Sequence, residues 1–152
     1  MDRTDLRILD CLQEDASLST AEIASRVGLS STPCWRRIQN LEKRGVIQGR
    51  VALLDRDQLN CGVDVFVAIK TQQHNAKWFT QFAAVVEQFP EVVEFYRMSG
   101  EIDYLMRVVV PDIAAFDQFY KRLIQKIDLS DVSSSFAMER LKHTTALPLD
   151  YV

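Results

Sequence analysis

Apolar residues in the first fifty positions recur at helical spacing in three short runs, and beyond residue 62 the rhythm alternates between period two and period 3.6. Leu6, Ile8, Leu9 and Leu12 predict a helix from Thr4 to about Glu14, with Asp2 or Thr4 able to cap it. Ile23, Ala24 and Val27 predict a second from near Thr20, opened by Ser19 and Glu22 as a capping box and closed at Gly28, which can take the left-handed conformation. Cys34, Ile38 and Leu41 predict a third from about Ser31 to Arg44. Ser30 or Ser31 can cap it, Pro33 sits in its first turn where a missing amide costs nothing, and Gly45 supplies the stop.

From Val46 to Asp55 the chain is aliphatic and unevenly alternating, which predicts a strand or hairpin connector, and Asp55 to Gly62 is a polar link. Val63 to Thr71 then alternates as a strand, and Ala76 to Phe89 carries Trp78, Phe79, Phe82, Ala83, Val86 and Phe89 at helical spacing before Pro90 stops it. Val92 to Met98 and Tyr104 to Val110 are strand patterns around the loop S-G-E-I-D, where Gly100 is free to take positive φ. Asp112 caps a further helix with Ile113, Phe116, Phe119, Tyr120, Leu123, Ile124 and Ile127 on one face, and Val132 to Leu141 is the last strand. The order βαββαβ specifies a four-stranded antiparallel sheet with both helices on one face, the ferredoxin-like arrangement.

The strand at residue 63 is apolar at both parities: Val63, Val65, Val67 and Ile69 on one side, Phe66 and Ala68 on the other. A sheet whose second face is also apolar wants a partner, and the economical one is another copy of the chain.

At 152 residues, 47% hydrophobic and 26% charged, the chain has room for one large or two small domains. No apolar run approaches a membrane span and the N-terminus has no signal-peptide core, so a cytoplasmic protein is expected. Cys11, Cys34 and Cys61 are odd in number and lack C-x-x-C spacing, and His74 and His143 have no partner pattern, so no metal site is expected.

Charge changes this picture locally. Between Arg36 and Arg50 five cations, Arg36, Arg37, Lys43, Arg44 and Arg50, stand against Glu42 alone, in a chain of net charge −3. Charge concentrated against the global sign implies an anionic partner. Two short helices split by a glycine turn, the second cationic, are what the major groove of double-stranded DNA accepts. Ser30, Ser31, Thr32, Pro33, Trp35, Arg36, Arg37, Gln39, Asn40, Lys43 and Arg50 are the candidate DNA-binding residues. A lone head reads few base pairs, whereas two heads about 34 Å apart read the half-sites of a palindromic operator.

The stretches M-D-R-T-D-L-R-I-L, V-G-L-S-S-T-P-C-W-R-R-I-Q-N-L-E-K-R-G-V-I, V-A-L-L-D, S-G-E-I-D-Y-L-M-R-V and S-F-A-M-E-R-L-K-H-T-T resemble the Lrp/AsnC family of transcriptional regulators, over essentially the whole chain. The resemblance implies an α+β protein: an N-terminal three-helix winged-type helix-turn-helix domain (residues 1–50), a hinge strand and linker (51–62) and a C-terminal ferredoxin-like βαββαβ domain for effector binding and oligomerisation (63–152). It implies dimers that assemble further, commonly to octamers, and a pocket for a free amino acid between neighbouring dimers, with no cofactor. Carried over, the pocket takes Met98, Ser99, Gly100, Glu101, Asp103 and Tyr104, with Ser133, Ser134 and Ser135 of the last strand facing them. Backbone amides freed by Gly100 can bind a carboxylate, and Asp103 or local carbonyls an ammonium. The ending H-T-T-A-L-P-L is similar to a subgroup that includes a cysteine-responsive activator, which leans the effector toward cysteine.

Two other classes remain at this point. An architectural DNA-binding protein without effector differs only in sequence preference, and a small enzyme on the ferredoxin-like domain would use His74 or His143 as a base beside Glu101 or Asp103. No catalytic residue is otherwise indicated.

Overall fold

The computed structural model describes residues 1–72 and 75–152, and His74 lies outside them. The chain forms two compact units, one of Met1–Leu53 with Lys142–Val152 and one of Leu54–Leu141.

The first unit holds α1 (Arg3–Glu14), α2 (Thr20–Val27) and α3 (Ser31–Lys43). Each start has a local cause. Asp2 caps α1 in a reciprocal box with Asp5, and Ser19 does the same for α2 with Glu22. The Ser19 hydroxyl and amide hold the Glu22 carboxyl below the ordinary carboxylate range. Gly28, at φ +74°, ends α2 in the left-handed conformation while Leu29 donates back to the Ala24 carbonyl at 2.9 Å. Arg7 covers the last turn of α2, its guanidinium donating to the Arg26 and Val27 carbonyls. Ile8, Ile23, Ala24, Val27, Cys34, Ile38 and Leu41 make the buried core of the head.

No strand follows α3. Residues 46–55 have no regular structure in the single chain, and Val51, Leu53 and Leu54 are 80%, 74% and 72% exposed. The composition favours a strand, but a strand needs a neighbour to accept and donate along its edge, and among the described residues none is offered.

The second unit holds β1 (Val63–Lys70), α4 (Ala76–Val86), β2 (Val92–Arg97), β3 (Tyr104–Val110), α5 (Ile113–Lys126) and β4 (Asp131–Phe136). The strands lie in the order β2-β3-β1-β4 and every pair is antiparallel. This is the βαββαβ arrangement. Val65, Val67 and Ile69 of β1, Met106 and Val108 of β3, Phe82 of α4 and Phe119 and Leu123 of α5 share one core, so both helices cover one face. Two elements are shorter than their patterns. Helix α4 ends at Val86 rather than Phe89, and β4 ends at Phe136 rather than Leu141, because beyond Val65↔Phe136 only Ala137 still bonds β1, through Asp64 O.

The other face is a mosaic rather than an apolar surface. Phe66, half-exposed, and Ala68 lie there with Tyr96, but so do Asp64, Glu94 and Arg107. Asp64 is buried and accepts from Arg107 Nε at 2.8 Å, from Arg56 Nη1 at 2.5 Å and from Arg140 Nη2 at 3.4 Å, while Arg107 also pairs with Glu94 at 2.6 Å. Burial alone would raise the Asp64 carboxyl, yet the bonds from Arg56 and Arg107 outweigh it and hold it below the ordinary value.

The last residues depart from the sequence-drawn boundary at Val152. Gln13 of α1 donates from Nε2 to Leu147 O and accepts at Oε1 from Leu147 N, both at 3.0 Å, a side-chain amide imitating a strand partner. Lys142–Val152 therefore belongs with the head.

Candidate functional site

Helix α3 divides cleanly. Cys34, Ile38 and Leu41 are buried, and Thr32, Arg36, Gln39 and Lys43, spaced i, i+4, i+7, i+11, form an exposed stripe on the opposite side. Ser31, Pro33, Trp35 and Asn40 are exposed along its flanks. Arg36 makes no hydrogen bond or ion pair among the described residues. Ser30 occupies the N-cap position, yet its side chain makes no capping bond, so the first-turn amides of Ser31 and Thr32 remain open to an anion. Gln39 and Arg50 both donate to Glu42, at 2.9 Å each. Such exposed pairs are weak enough for a phosphate to displace.

Arg37 is turned elsewhere. Its Nη1 reaches Asp5 at 2.7 Å and Asp2 at 2.8 Å, so each carboxylate of the α1 capping box uses one oxygen for a backbone amide and the other for the guanidinium. The bond from the Asp5 amide, then that from Arg37, lowers the Asp2 carboxyl, and the bond to Asp5 raises the Arg37 guanidinium in return. Arg37 thus fastens α3 to α1, and its charge is already matched. Arg36 and Arg37 therefore have different surroundings, because adjacent helical residues point 100° apart.

In the second unit, Met98, Ser99, Gly100 and Glu101 are exposed on the β2–β3 loop. Gly100 adopts φ +116°, and a Cβ built there would meet nothing within 4 Å. The loop is closed by Met98 N donating to Asp103 O at 2.8 Å, and it is tied to β1 by Asp103 N donating to Ile69 O at 2.9 Å and Thr71 N donating to Asp103 Oδ2 at 2.7 Å. Asp103 therefore fastens two loops through its backbone and Oδ2.

Tyr104 is buried among Trp78, Phe79, Phe82 and Phe95 on the helix-covered face, because β3 alternates and Tyr104 shares parity with Met106 and Val108. The three serines are divided between the two faces of the sheet. Ser134 pairs with Val67 and lies on the helix-covered face with Phe136, while Ser133 and Ser135 pair with Ala68 and Phe66 on the open face. Strand β1 separates β4 from β3, so Ser133 stands two strand spacings, about 10 Å, from the strand that carries the loop. His143 is exposed in the tail segment. Among the described residues no cluster of His, Cys, Asp or Glu can hold a metal ion, and no helix is long and apolar enough to cross a membrane.

The Asp2–Asp5–Arg37 and Asp64–arginine networks were not foreseen. The Asp2-x-x-Asp5 spacing was a visible capping signal for the first, whereas nothing in the sequence pairs Arg56 or Arg140 with Asp64.

The profile of the Lrp/AsnC ligand binding domain matches residues 64–147, more than half of the chain, and that of a winged helix-turn-helix DNA-binding domain matches residues 1–48. The chain belongs to the Lrp/AsnC family. Within it, the chain is 49% identical over 151 residues to the DNA-binding transcriptional activator DecR of Escherichia coli, covering 99% of each protein. It superposes on the crystal structure of an AsnC family transcriptional regulator from Agrobacterium tumefaciens with a TM-score of 0.97 at 63% identity, covering 99% of each chain. A transcriptional regulator of Neisseria meningitidis in complex with L-Met matches with a TM-score of 0.94 at 36% identity over 99% of this chain and 98% of that one. As in that family, a helix-turn-helix head is joined to a four-stranded α+β ligand-binding domain.

Proposed function

We propose that this chain is a sequence-specific DNA-binding transcriptional regulator whose assembly and DNA affinity respond to a free amino acid. The observation that carries the first half is the stripe on α3: Thr32, Arg36, Gln39 and Lys43 expose donors, acceptors and two cations along one line, opposite a fully buried line that fixes it. Arginine and glutamine reach base edges bidentately, and lysine holds phosphate. Ser30, Ser31, Asn40 and Arg50 flank the stripe as further phosphate contacts.

The second half rests on the loop around Gly100. Its exposed backbone amides suit a carboxylate, and Asp103 with nearby carbonyls suits an ammonium. The L-Met complex of the Neisseria regulator supports an amino acid as the class of ligand. The loop and the β4 serines do not converge within one chain, which favours a site completed by a neighbouring copy. The unpaired segment 46–55 and the half-exposed Phe66 favour a homodimer as the building block, and an octamer is the expected assembly. Such a dimer would present its heads to a palindromic operator in the cytoplasm.

A thermal-shift screen of the common amino acids, followed by anisotropy titration of the gene's upstream duplex with and without the amino acid that scores, tests both halves. The expected result is a stabilising amino acid that also changes DNA affinity or assembly. Light scattering at micromolar concentration should give at least a dimer. A monomer, or DNA binding indifferent to sequence, would refute the proposal.

A further inference from the structure

Trp35 is out of place by the ordinary rules of burial. The head closes its core without it, and the residue is 53% exposed, whereas the other tryptophan, Trp78, is buried among the aromatic rings of the sheet domain. Among the described residues no ring or cation packs on it. On α3 it stands one residue, and so 100°, from buried Cys34, with Ser31, Thr32 and Gln39 as its polar neighbours on the helix surface. Helical side chains lean toward the N-terminus, so the indole overlies the first turn of α3, the turn whose amides have no side-chain cap. In helix-turn-helix heads this is the end of the second helix that enters the major groove.

The major-groove edges of the base pairs present donors and acceptors, and one apolar group, the C5-methyl of thymine. On those edges, that methyl is the group a large flat apolar ring at that end of the helix is suited to meet. We propose that Trp35 is a specificity residue that reads thymine by packing its indole on the C5-methyl. This rests on the DNA-binding function above and adds to it what the polar stripe cannot supply, because Arg36 favours guanine and Gln39 adenine. The operator half-site is thus expected to hold a fixed thymine beside the bases that the stripe contacts.

Uracil pairs as thymine does and lacks only the methyl, which makes the test direct. Duplexes of about 30 base pairs, long enough for two half-sites one helical turn apart, are selected from a random pool by the full-length wild-type protein. The recovered duplex is then resynthesised with deoxyuridine at one thymidine at a time. At one or two positions per half-site the substitution should weaken wild-type binding about fourfold, the factor that burying one methyl-sized group supplies. Trp35→Ala should be indifferent to the same substitutions, and Trp35→Phe should keep part of the effect. In a Trp78→Phe background, where Trp35 is the sole tryptophan, its emission should change on binding the thymine duplex.

Wild-type binding unchanged by every deoxyuridine would overturn the assignment even if no variant folded. So would a Trp35→Ala protein that loses the same factor at the same positions, or Trp35 emission unchanged in the complex. A pool from which the wild type enriches no duplex would refute the regulator proposal itself. Enrichment of a duplex whose thymines are all replaceable would refute the role of Trp35 alone.

Discussion

Replacing Arg37 by alanine and, separately, Arg36 by alanine distinguishes a residue that builds the head from one that touches DNA. Arg37 Nη1 bonds Asp5 Oδ1 at 2.7 Å, and the Asp5 side chain is only 13% exposed. A charged hydrogen bond in that setting contributes about 1.5 to 3 kcal/mol. The guanidinium itself is 35% exposed and therefore partly screened, which favours the lower half of that range. The arm to Asp2 lies in water and adds little. Arg37→Ala should thus cost the head about 2 kcal/mol, a large share of the roughly 3 to 10 kcal/mol that a unit of this size holds in all. Urea titration of the full-length protein, followed by Trp35 emission with Trp78 replaced by Phe, measures it. Arg36→Ala should leave that transition within about 0.5 kcal/mol of the parent, because the side chain bonds nothing among the described residues. In DNA titrations across salt concentrations the roles reverse: Arg36→Ala should flatten the log-log slope by about 0.9 if it neutralises one phosphate, or cost about 1 to 3 kcal/mol if it reads a base. Arg37→Ala should leave the slope of the folded protein unchanged. The reasoning is refuted if Arg37→Ala flattens the slope and spares stability.

Asp64→Ala should cost the sheet domain about 3 to 5 kcal/mol, since it leaves Arg56, Arg107 and Arg140 facing one another with only Glu94 for balance, and thermal melting reads this out. The Asp64 carboxyl is lowered in the folded protein relative to about 3.9 in the unfolded chain, so its stabilisation is complete above about pH 5, declines as pH falls past about 3.9 and is lost below the folded value. An Asp64→Asn protein should show a shallower acid limb, and an unchanged limb would assign it to other groups. Leu147→Pro removes one of the two bonds to Gln13, and hydrogen exchange should show the tail amides losing protection while the head weakens by about 1 kcal/mol. Gly100→Ala meets open space but keeps an unfavourable φ of +116°, so it should cost about 1 to 2 kcal/mol through the backbone alone. Gly100→Trp should abolish the thermal shift given by the amino acid while effector-free DNA binding persists, and identical calorimetric affinities for both proteins would move the ligand site elsewhere.

The caps and turns were legible because they are short-range. Ser19 with Glu22, Asp112 before Ile113 and Gly28 after Val27 each act within four residues, so residue type at fixed spacing was enough to place α2 and α5. The buried stripe of α3 was legible for the same reason, and with it the exposed residues opposite. Arg37 was not. Its partner carboxylates lie 32 and 35 residues away, and adjacent arginines look alike in a sequence until another helix claims one of them. The burial of Tyr104 was not legible from the loop motif either, because that motif runs into a strand and strand parity decides which face the ring takes.

The chain's own periodicities determined two domains, the order of their elements and which face of each helix is buried, since period 3.6 and period 2 follow from backbone geometry and the removal of apolar surface from water. Tertiary structure alone decided how long β4 could remain a strand, that residues 46–55 form none in a single chain, that the distant Arg107 and Arg140 meet on Asp64, and that the tail returns to Gln13. Each of those depends on a partner far away in sequence, and a hydrogen bond or ion pair exists only when both ends have been brought together.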